Sequence, residues 1–271
     1  MIRLYNVSTL PFPSNDQRAF VGRGHRRLSL AALQLVALTV ISGTPFAARA
    51  EPQAVIELFT SQGCASCPAA DKLAGELADD PSMIVLTLPV PYWDYLGWKD
   101  TLALKSHTRR QRAYAAARGD RQVYTPQVVV NGLTHVLGSD RAAIKRAIGA
   151  TRKQDRPLTL PIKIQATPDT VTIELPAAEG PARPSHVWLC PMVRAVTVKI
   201  DRGENRGRAV TYTNVVRDWI RVGTWDGKAA TFKVQRSDWE GGHTDAVAVL
   251  VQHTSDDEPR TMIGAALVAL P

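Results

Sequence analysis

The segment Cys64-Ala65-Ser66-Cys67 constrains the fold of this chain most strongly, because it joins two different patterns. The mostly apolar run before it, Ala54–Thr60, is typical of a buried strand. The residues after it begin with Pro68 and have the spacing of a helix start. A Cys-x-x-Cys pair between a strand and a helix is typical of a redox site. Since the helix N-terminus favours a thiolate, we predict that Cys64 is the nucleophile and that Cys67 resolves the mixed disulfide.

Two other interpretations of the pair stay open on the sequence. A purely structural disulfide would close a loop of only two intervening residues, which gives little entropic stabilisation. Alternatively, both thiolates could hold a soft ion such as Cu(I), although no histidine has metal-ligand spacing with the motif. The third cysteine, Cys190, is interpreted as a buried small apolar residue, with a third thiol or an intermolecular link as the alternative.

Residues 1–50 have the pattern of a cleaved signal peptide. Basic residues precede an apolar stretch from about Leu28 to Ile41, and Ala48-Arg49-Ala50 has the small side chains expected before a cleavage site. The stretch is too short to predict a membrane span, and no cysteine lies at the cut, so no membrane anchor is expected after signal removal. We therefore expect a periplasmic or secreted protein that begins near Glu51, in a compartment where disulfides persist.

Most of the positive charge belongs to this leader. The whole chain has a formal net charge of +8, and residues 1–50 contain six arginines and one aspartate, which leaves +3 for the remainder. No dense basic patch with interleaved aromatic residues follows in the sequence. A nucleic-acid partner is therefore not expected.

From residue 51 to residue 152, strand and helix patterns alternate. Their order is β-α-β-α-β-β-α, and Asn131-Gly132 between two apolar runs predicts a tight hairpin turn. A βαβ unit followed by a ββα unit predicts an α/β domain with a thioredoxin-like arrangement.

Helical periodicity ends near Pro157, and Thr151–Pro157 is the predicted linker. Residues 158–271 consist of short runs rich in Val, Thr, Ile and Trp, separated by turn signals such as Asp226-Gly227. This pattern predicts a second domain, an all-β antiparallel sandwich.

Two further positions are candidate site residues. In thioredoxin-like folds a cis proline before a strand lies against the dithiol, and Pro126 occupies that place, with Thr125 before it offering backbone groups to an extended substrate. Glu57 alternates with Val55 and Phe59 in an apolar strand. Burial would raise the pKa of this carboxyl and suit proton transfer with Cys67, whereas a sheet-edge position or an arginine partner is the alternative.

Four motifs together resemble a bacterial family of exported proteins of unknown function with a thioredoxin-like domain. They are Glu57-Leu58-Phe59-Thr60-Ser61-Gln62-Gly63-Cys64-Ala65-Ser66-Cys67-Pro68, Tyr92-Trp93-Asp94-Tyr95-Leu96-Gly97-Trp98, Tyr124-Thr125-Pro126-Gln127 and Arg202-Gly203-Glu204-Asn205-Arg206-Gly207-Arg208. The resemblance implies a fold and a redox site rather than an established reaction. Gly63 stands where well-characterised thioredoxins have tryptophan, and Ala65-Ser66 where they have Gly-Pro, so the redox potential and the substrate stay open.

Two of these motifs allow alternative roles. The aromatic loop around Trp93 is either a substrate platform or a seal between the two domains. The segment Arg202–Arg208 is either a solvated hairpin loop or a loop that reaches the redox face.

The sequence predicts an exported thiol–disulfide oxidoreductase that needs no cofactor and acts on protein thiols or disulfides, or on a small thiol. A copper-binding protein and a non-catalytic interaction module with a structural disulfide are the alternatives.

Overall fold

The computed structural model describes residues 52–154, 156–239, 242–255 and 258–271, which fall within one compact unit. The predicted signal peptide lies outside these ranges. Within them, no helix is long and apolar enough to cross a membrane.

The N-terminal part begins with a βαβ unit. Strand β1 (Ala54–Thr60) is completely buried, and β2 (Met83–Pro89) pairs with it in parallel. Helix α1 (Cys67–Ala78) connects them and packs on β1 through Ala70, Leu73, Ala74 and Leu77, which recur at helical spacing. Burial on both faces explains why β1 is apolar at nearly every position.

A second helix and a hairpin follow, which confirms the predicted element order. A 3-10 helix (Pro91–Leu96) leads to α2 (Lys105–Arg118), then to β3 (Gln127–Val130), β4 (Thr134–Leu137) and α3 (Arg141–Gln154). Helix α3 therefore extends into the predicted linker.

The turn between β3 and β4 is buried and is held by hydrogen bonds to β1. Asn131 and Gly132 both have positive φ angles, 54° and 74°, as the Asn-Gly signal predicted, but the pairing of Val130 with Thr134 leaves three residues in the loop rather than the predicted two. The Asn131 backbone N–H donates to the Val55 carbonyl at 2.9 Å, and its side-chain Oδ1 accepts from the Val55 N–H at 2.8 Å. A side chain at Gly132 would clash, because its Cβ would lie 2.4 Å from the Arg260 carbonyl oxygen.

The rest of the chain is almost entirely β. Its strands are β5 (Lys163–Ala166), β6 (Thr170–Leu175), β7 (Ser185–Lys199), β8 (Ala209–Val216), β9 (Ile220–Trp225), β10 (Ala230–Gln235), β11 (Ala246–Ser255) and β12 (Glu258–Ala269).

One mixed sheet runs through both parts of the chain in the order β12-β11-β7-β8-β2-β1-β3-β4, with β9 also paired to β7. The junction is parallel pairing of β2 and β8 at Thr87 and Val215, supported by a hydrogen bond from Thr87 Oγ1 to the Thr213 carbonyl. A smaller sheet, β10-β6-β5, packs on the β7 and β11 region. The architecture is thus an α/β region followed by a largely β region, and one sheet is shared by the two predicted domains.

Candidate functional site

The two cysteines form a disulfide at the first turn of α1, with Cα atoms 5.4 Å apart. Cys67 is the first helical residue and is fully buried, whereas Cys64 is 3% exposed. Ala65 and Ser66 between them are exposed, and the Ser66 hydroxyl lies 3.5 Å from Cys64 Sγ. Cys64 is therefore the less buried residue of the pair, and the hydroxyl beside its sulfur can donate to a thiolate.

Trp93 connects the segment Gln62–Cys67, which we call the cysteine loop, with the loop before β3. Its indole Nε1 donates to Thr125 Oγ1 at 2.7 Å. A Cβ built on Gly63 would lie 3.1 Å from both the Cβ and the carbonyl oxygen of Trp93, so a larger residue before Cys64 would require Trp93 to shift by a few tenths of an ångström.

Pro126 lies beside α1, and the Thr125–Pro126 peptide bond is cis, as predicted. A Cβ built on Gly138 would lie 3.1 Å from Pro126 Cβ and 3.2 Å from Ala70 Cβ, which places the proline next to the first turns of α1. Cys64, Cys67, Trp93, Thr125 and Pro126 are thus gathered at one end of the sheet.

Gln62 is fully buried and holds the cysteine loop in place through its hydrogen bonds. Its backbone N–H donates to Asp100 Oδ2 at 2.8 Å, and its Oε1 accepts from Trp98 Nε1 at 2.8 Å. The aromatic loop therefore holds the cysteine loop in place. Its outermost ring, Tyr95, is 76% exposed and stacks on Trp93 with ring centroids 6.2 Å apart.

The segment Arg202–Arg208 reaches the disulfide through Asn205. The Asn205 side-chain Nδ2 donates to the carbonyl oxygens of Gln62 at 2.9 Å and Cys64 at 2.8 Å, and the residue is 1% exposed. Both bonds cross more than 140 positions of sequence, so the β region closes one side of the cysteine loop.

A buried carboxyl lies behind the disulfide. Asp71 is one helical turn after Cys67 on the same side of α1, and it is 2% exposed. Neither carboxyl oxygen has a hydrogen-bond partner in the described part of the chain. Burial raises the pKa of Asp71 to about 8. The Thr60 side chain lowers this pKa in part, and the nearby Asp100 carboxyl raises it further.

Glu57 occupies the other face of β1, away from α1. Its carboxylate accepts from Arg110 Nε at 2.5 Å and from the Tyr114 hydroxyl at 2.5 Å. Its strand neighbours Val55 and Phe59 pack into the core on that face, whereas α1 packs on the opposite one. The structure therefore gives Glu57 the arginine partner that was the alternative interpretation, and it does not place this carboxyl beside Cys67.

Cys190 is fully buried in the same core as Phe59, which agrees with its interpretation as a small apolar residue. Burial raises the pKa of its thiol. Across the described ranges, no cluster of three or more His, Cys, Asp or Glu side chains could hold a metal ion.

Sequence reasoning missed the roles of Asp71, Gln62 and Asn205. Asp71 had a detectable signal, because it lies four residues after Cys67 and interrupts the buried stripe of α1 with a charge. No sequence signal indicated the role of Asn205 beyond its place in a motif, because its hydrogen-bond partners are distant in sequence.

Comparison with known proteins gives a family and a structural relative. The chain matches the family described as "Protein of unknown function (DUF1223)" over residues 55–252. A crystal structure of the protein AGR_C_4864 from Agrobacterium tumefaciens is 34% identical, covers 80% of this chain and 94% of its own, and superimposes with a TM-score of 0.72. A β-glucosidase from Kluyveromyces marxianus is 11% identical, covers 42% of this chain and 14% of its own, and its TM-score of 0.22 carries no argument.

The comparison with curated proteins gives no match. The family match spans most of the chain, and the Agrobacterium protein shares its fold over nearly its full length. The chain belongs to DUF1223, a family of proteins of unknown function.

Proposed function

We propose that this protein is an exported thiol–disulfide oxidoreductase whose residues 51–152 work as a thioredoxin-like unit, with the region 158–271 bracing the site. One observation carries the proposal: the Cys64–Cys67 disulfide begins α1, and Trp93, Thr125 and Pro126 are gathered beside it. A dithiol at a helix N-terminus has the electrostatic setting that thiol exchange needs.

Cys64 takes the exchanging role because it is the less buried residue of the pair. A substrate thiolate attacks Cys64 Sγ, a new sulfur–sulfur bond forms, and the Cys64–Cys67 bond breaks with its electron pair on Cys67. A second substrate thiolate then attacks the substrate sulfur of this mixed disulfide and releases Cys64 as a thiolate. The substrate dithiol is oxidised and the cysteine pair is reduced, and the reverse sequence reduces a substrate disulfide.

Asp71, rather than Glu57, is suited to supply the proton that Cys67 needs when it leaves. Side chains four residues apart on a helix lie about 5–6 Å apart at Cβ, so a carboxyl at Asp71 reaches the Cys67 region. Because burial raises the pKa of Asp71 to about 8, the carboxyl is protonated at neutral pH and can donate.

The substrate surface in this proposal consists of Trp93, Thr125 and the exposed ring of Tyr95. Thr125 is half-buried, and its backbone can pair with an extended chain. Aromatic rings beside a reactive sulfur suit an unfolded or extended thiol-containing segment better than a compact surface. Protein thiols or disulfides outside the cytosol are thus the proposed substrates, with a small thiol as the simplest one.

The test is a redox titration of the folded protein. A Cys190→Ser variant leaves only the pair to report, and it is equilibrated in glutathione buffers of graded ratio before acid quenching, alkylation and mass spectrometry. A reversible, cooperative two-thiol transition in the folded protein is expected. Reduction that occurs only under denaturing conditions overturns the proposal.

The near-complete burial of both sulfurs favours a second candidate, a structural disulfide. In that case the Asn205 contact would serve to close the cysteine loop permanently. The two functions differ in the effect of reduction on stability and rate. Exchange chemistry predicts fast reduction by a small thiol with the fold retained, whereas a structural role predicts slow reduction accompanied by loss of the fold.

A further inference from the structure

A second site lies on the other side of β1 from α1. A cavity of about 310 Å³ opens between α2 and the sheet. Four α2 residues at helical spacing, Ser106, Arg109, Arg110 and Ala113, form one wall. This volume is within the range of small-molecule sites.

The opposite wall is aromatic. Trp188 and Trp219 meet edge to face with ring centroids 6.1 Å apart. The guanidinium carbon of Arg110 lies 4.1 Å from the centroid of the Trp219 ring. This arrangement gives the cavity a flat apolar surface with a cation against it, which suits a planar ligand.

Arg110 is held rigidly where it lines the cavity. Its Nε donates to Glu57 at 2.5 Å, and its Nη2 donates to Tyr114 at 2.7 Å and to Gln252 at 3.0 Å. Its side chain is 9% exposed, and Glu57 balances its charge. Because these bonds hold the Nε and Nη2 atoms, the Arg110 side chain already has a fixed position before any ligand binds.

The cavity also has a charge that lacks a partner. Arg109 is exposed at the rim and forms no ion pair with any residue that the structure describes. No aspartate or glutamate is among the residues that line the cavity in the described ranges. The wall thus supplies donors and positive charge without a carboxylate of its own.

We propose that this cavity binds a small organic anion with a flat aromatic body, such as an aromatic carboxylate or sulfonate. The ring would pack against Trp188 and Trp219, and the anionic group would accept from Arg109. The site shares no residue with the disulfide region, so it does not rest on the proposed thiol exchange.

Binding of naphthalene sulfonate, measured by calorimetry and by quenching of tryptophan fluorescence in the full folded protein, tests the proposal. Naphthalene methanol is the uncharged probe of matched shape. We expect saturable binding of one sulfonate per chain and clearly weaker binding of the alcohol, since the donors then face no anion.

Three variants locate the site. Arg109→Gln should weaken sulfonate binding about five-fold, which corresponds to the loss of one partly exposed charge pair. Trp219→Leu removes the ring against which the ligand would pack and should weaken binding about three-fold. Arg112→Gln is the matched control, because Arg112 is an exposed arginine of the same helix that lines a different cleft, and it should leave the affinity unchanged.

Circular dichroism establishes that each variant is folded before the affinities are compared. Equal weakening by Arg109→Gln and Arg112→Gln would show a non-specific charge effect and would overturn the proposal. Unchanged affinity in both Arg109→Gln and Trp219→Leu, or the absence of saturable binding, would overturn it as well.

Discussion

The buried carboxyl of Asp71 should make the folded protein less stable as the pH rises, and replacing it should remove that loss. Its pKa is about 8 in the folded protein against 3.8 for an unperturbed aspartate, so the folded state keeps a proton that the unfolded chain releases. Between these two values the unfolded state binds fewer protons, and the free energy of unfolding falls with increasing pH.

The size of the effect follows from the linkage relation. Each pH unit well inside this window costs about 1.4 kcal/mol, so raising the pH from 5 to 7 should cost about 3 kcal/mol through this one group. Asp71→Asn has nearly the same shape and no titrating proton. The stability of Asp71→Asn relative to the unsubstituted protein should therefore rise by about 3 kcal/mol over the same interval.

The assay is urea unfolding at pH 5, 6 and 7 with the disulfide kept oxidised, so that neither cysteine titrates. Asp79→Asn is the matched control, because Asp79 is an exposed carboxyl at the C-terminal end of the same helix. The control should follow the unsubstituted protein at every pH. A constant difference between Asp71→Asn and the unsubstituted protein would refute the assignment of Asp71 as a buried, neutral carboxyl.

Three further substitutions test the contacts that build the site, each by urea unfolding. Gly132→Ala should destabilise the protein by about 3 kcal/mol, because the position combines positive φ with a close backbone carbonyl, and a smaller loss than 1 kcal/mol would contradict this. Glu57→Gln should cost about 3 kcal/mol by leaving the buried charge of Arg110 unbalanced, and a neutral effect would argue against the ion pair. Asn205→Ala should cost about 2 kcal/mol and speed reduction of the disulfide by a small thiol, whereas an unchanged rate would show that the Asn205 clamp does not control access.

The local parts of the fold could be predicted from the sequence because their causes are local. Asn131-Gly132 specifies a tight turn through backbone preference alone, and the structure shows both positive φ angles. The strand before Cys64 and the helix after Cys67 follow from hydrophobic spacing and from the early proline. Because the strand and the helix were both predicted, the position of the cysteine pair at the helix N-terminus was predicted as well.

The remaining features depend on contacts that no local pattern encodes. The joining of β2 to β8 rests on a single registered pair, and the Asn205 clamp links residues far apart in the chain. The environment of Glu57 also depends on contacts that no local pattern encodes. Alternation correctly placed it with Val55 and Phe59, but only the fold shows that this face packs on α2 and supplies Arg110.

The most direct test of the proposed thiol exchange is the capture of a mixed disulfide by single-cysteine variants. Cys67→Ser and Cys64→Ser are prepared in a Cys190→Ser background, incubated with oxidised glutathione and analysed by intact mass. Because Cys64 is the less buried residue of the pair and Cys67 is fully buried, Cys67→Ser should form a stable glutathione adduct at Cys64, and Cys64→Ser should form little. Adducts that form equally on both variants, or on neither, would contradict the account.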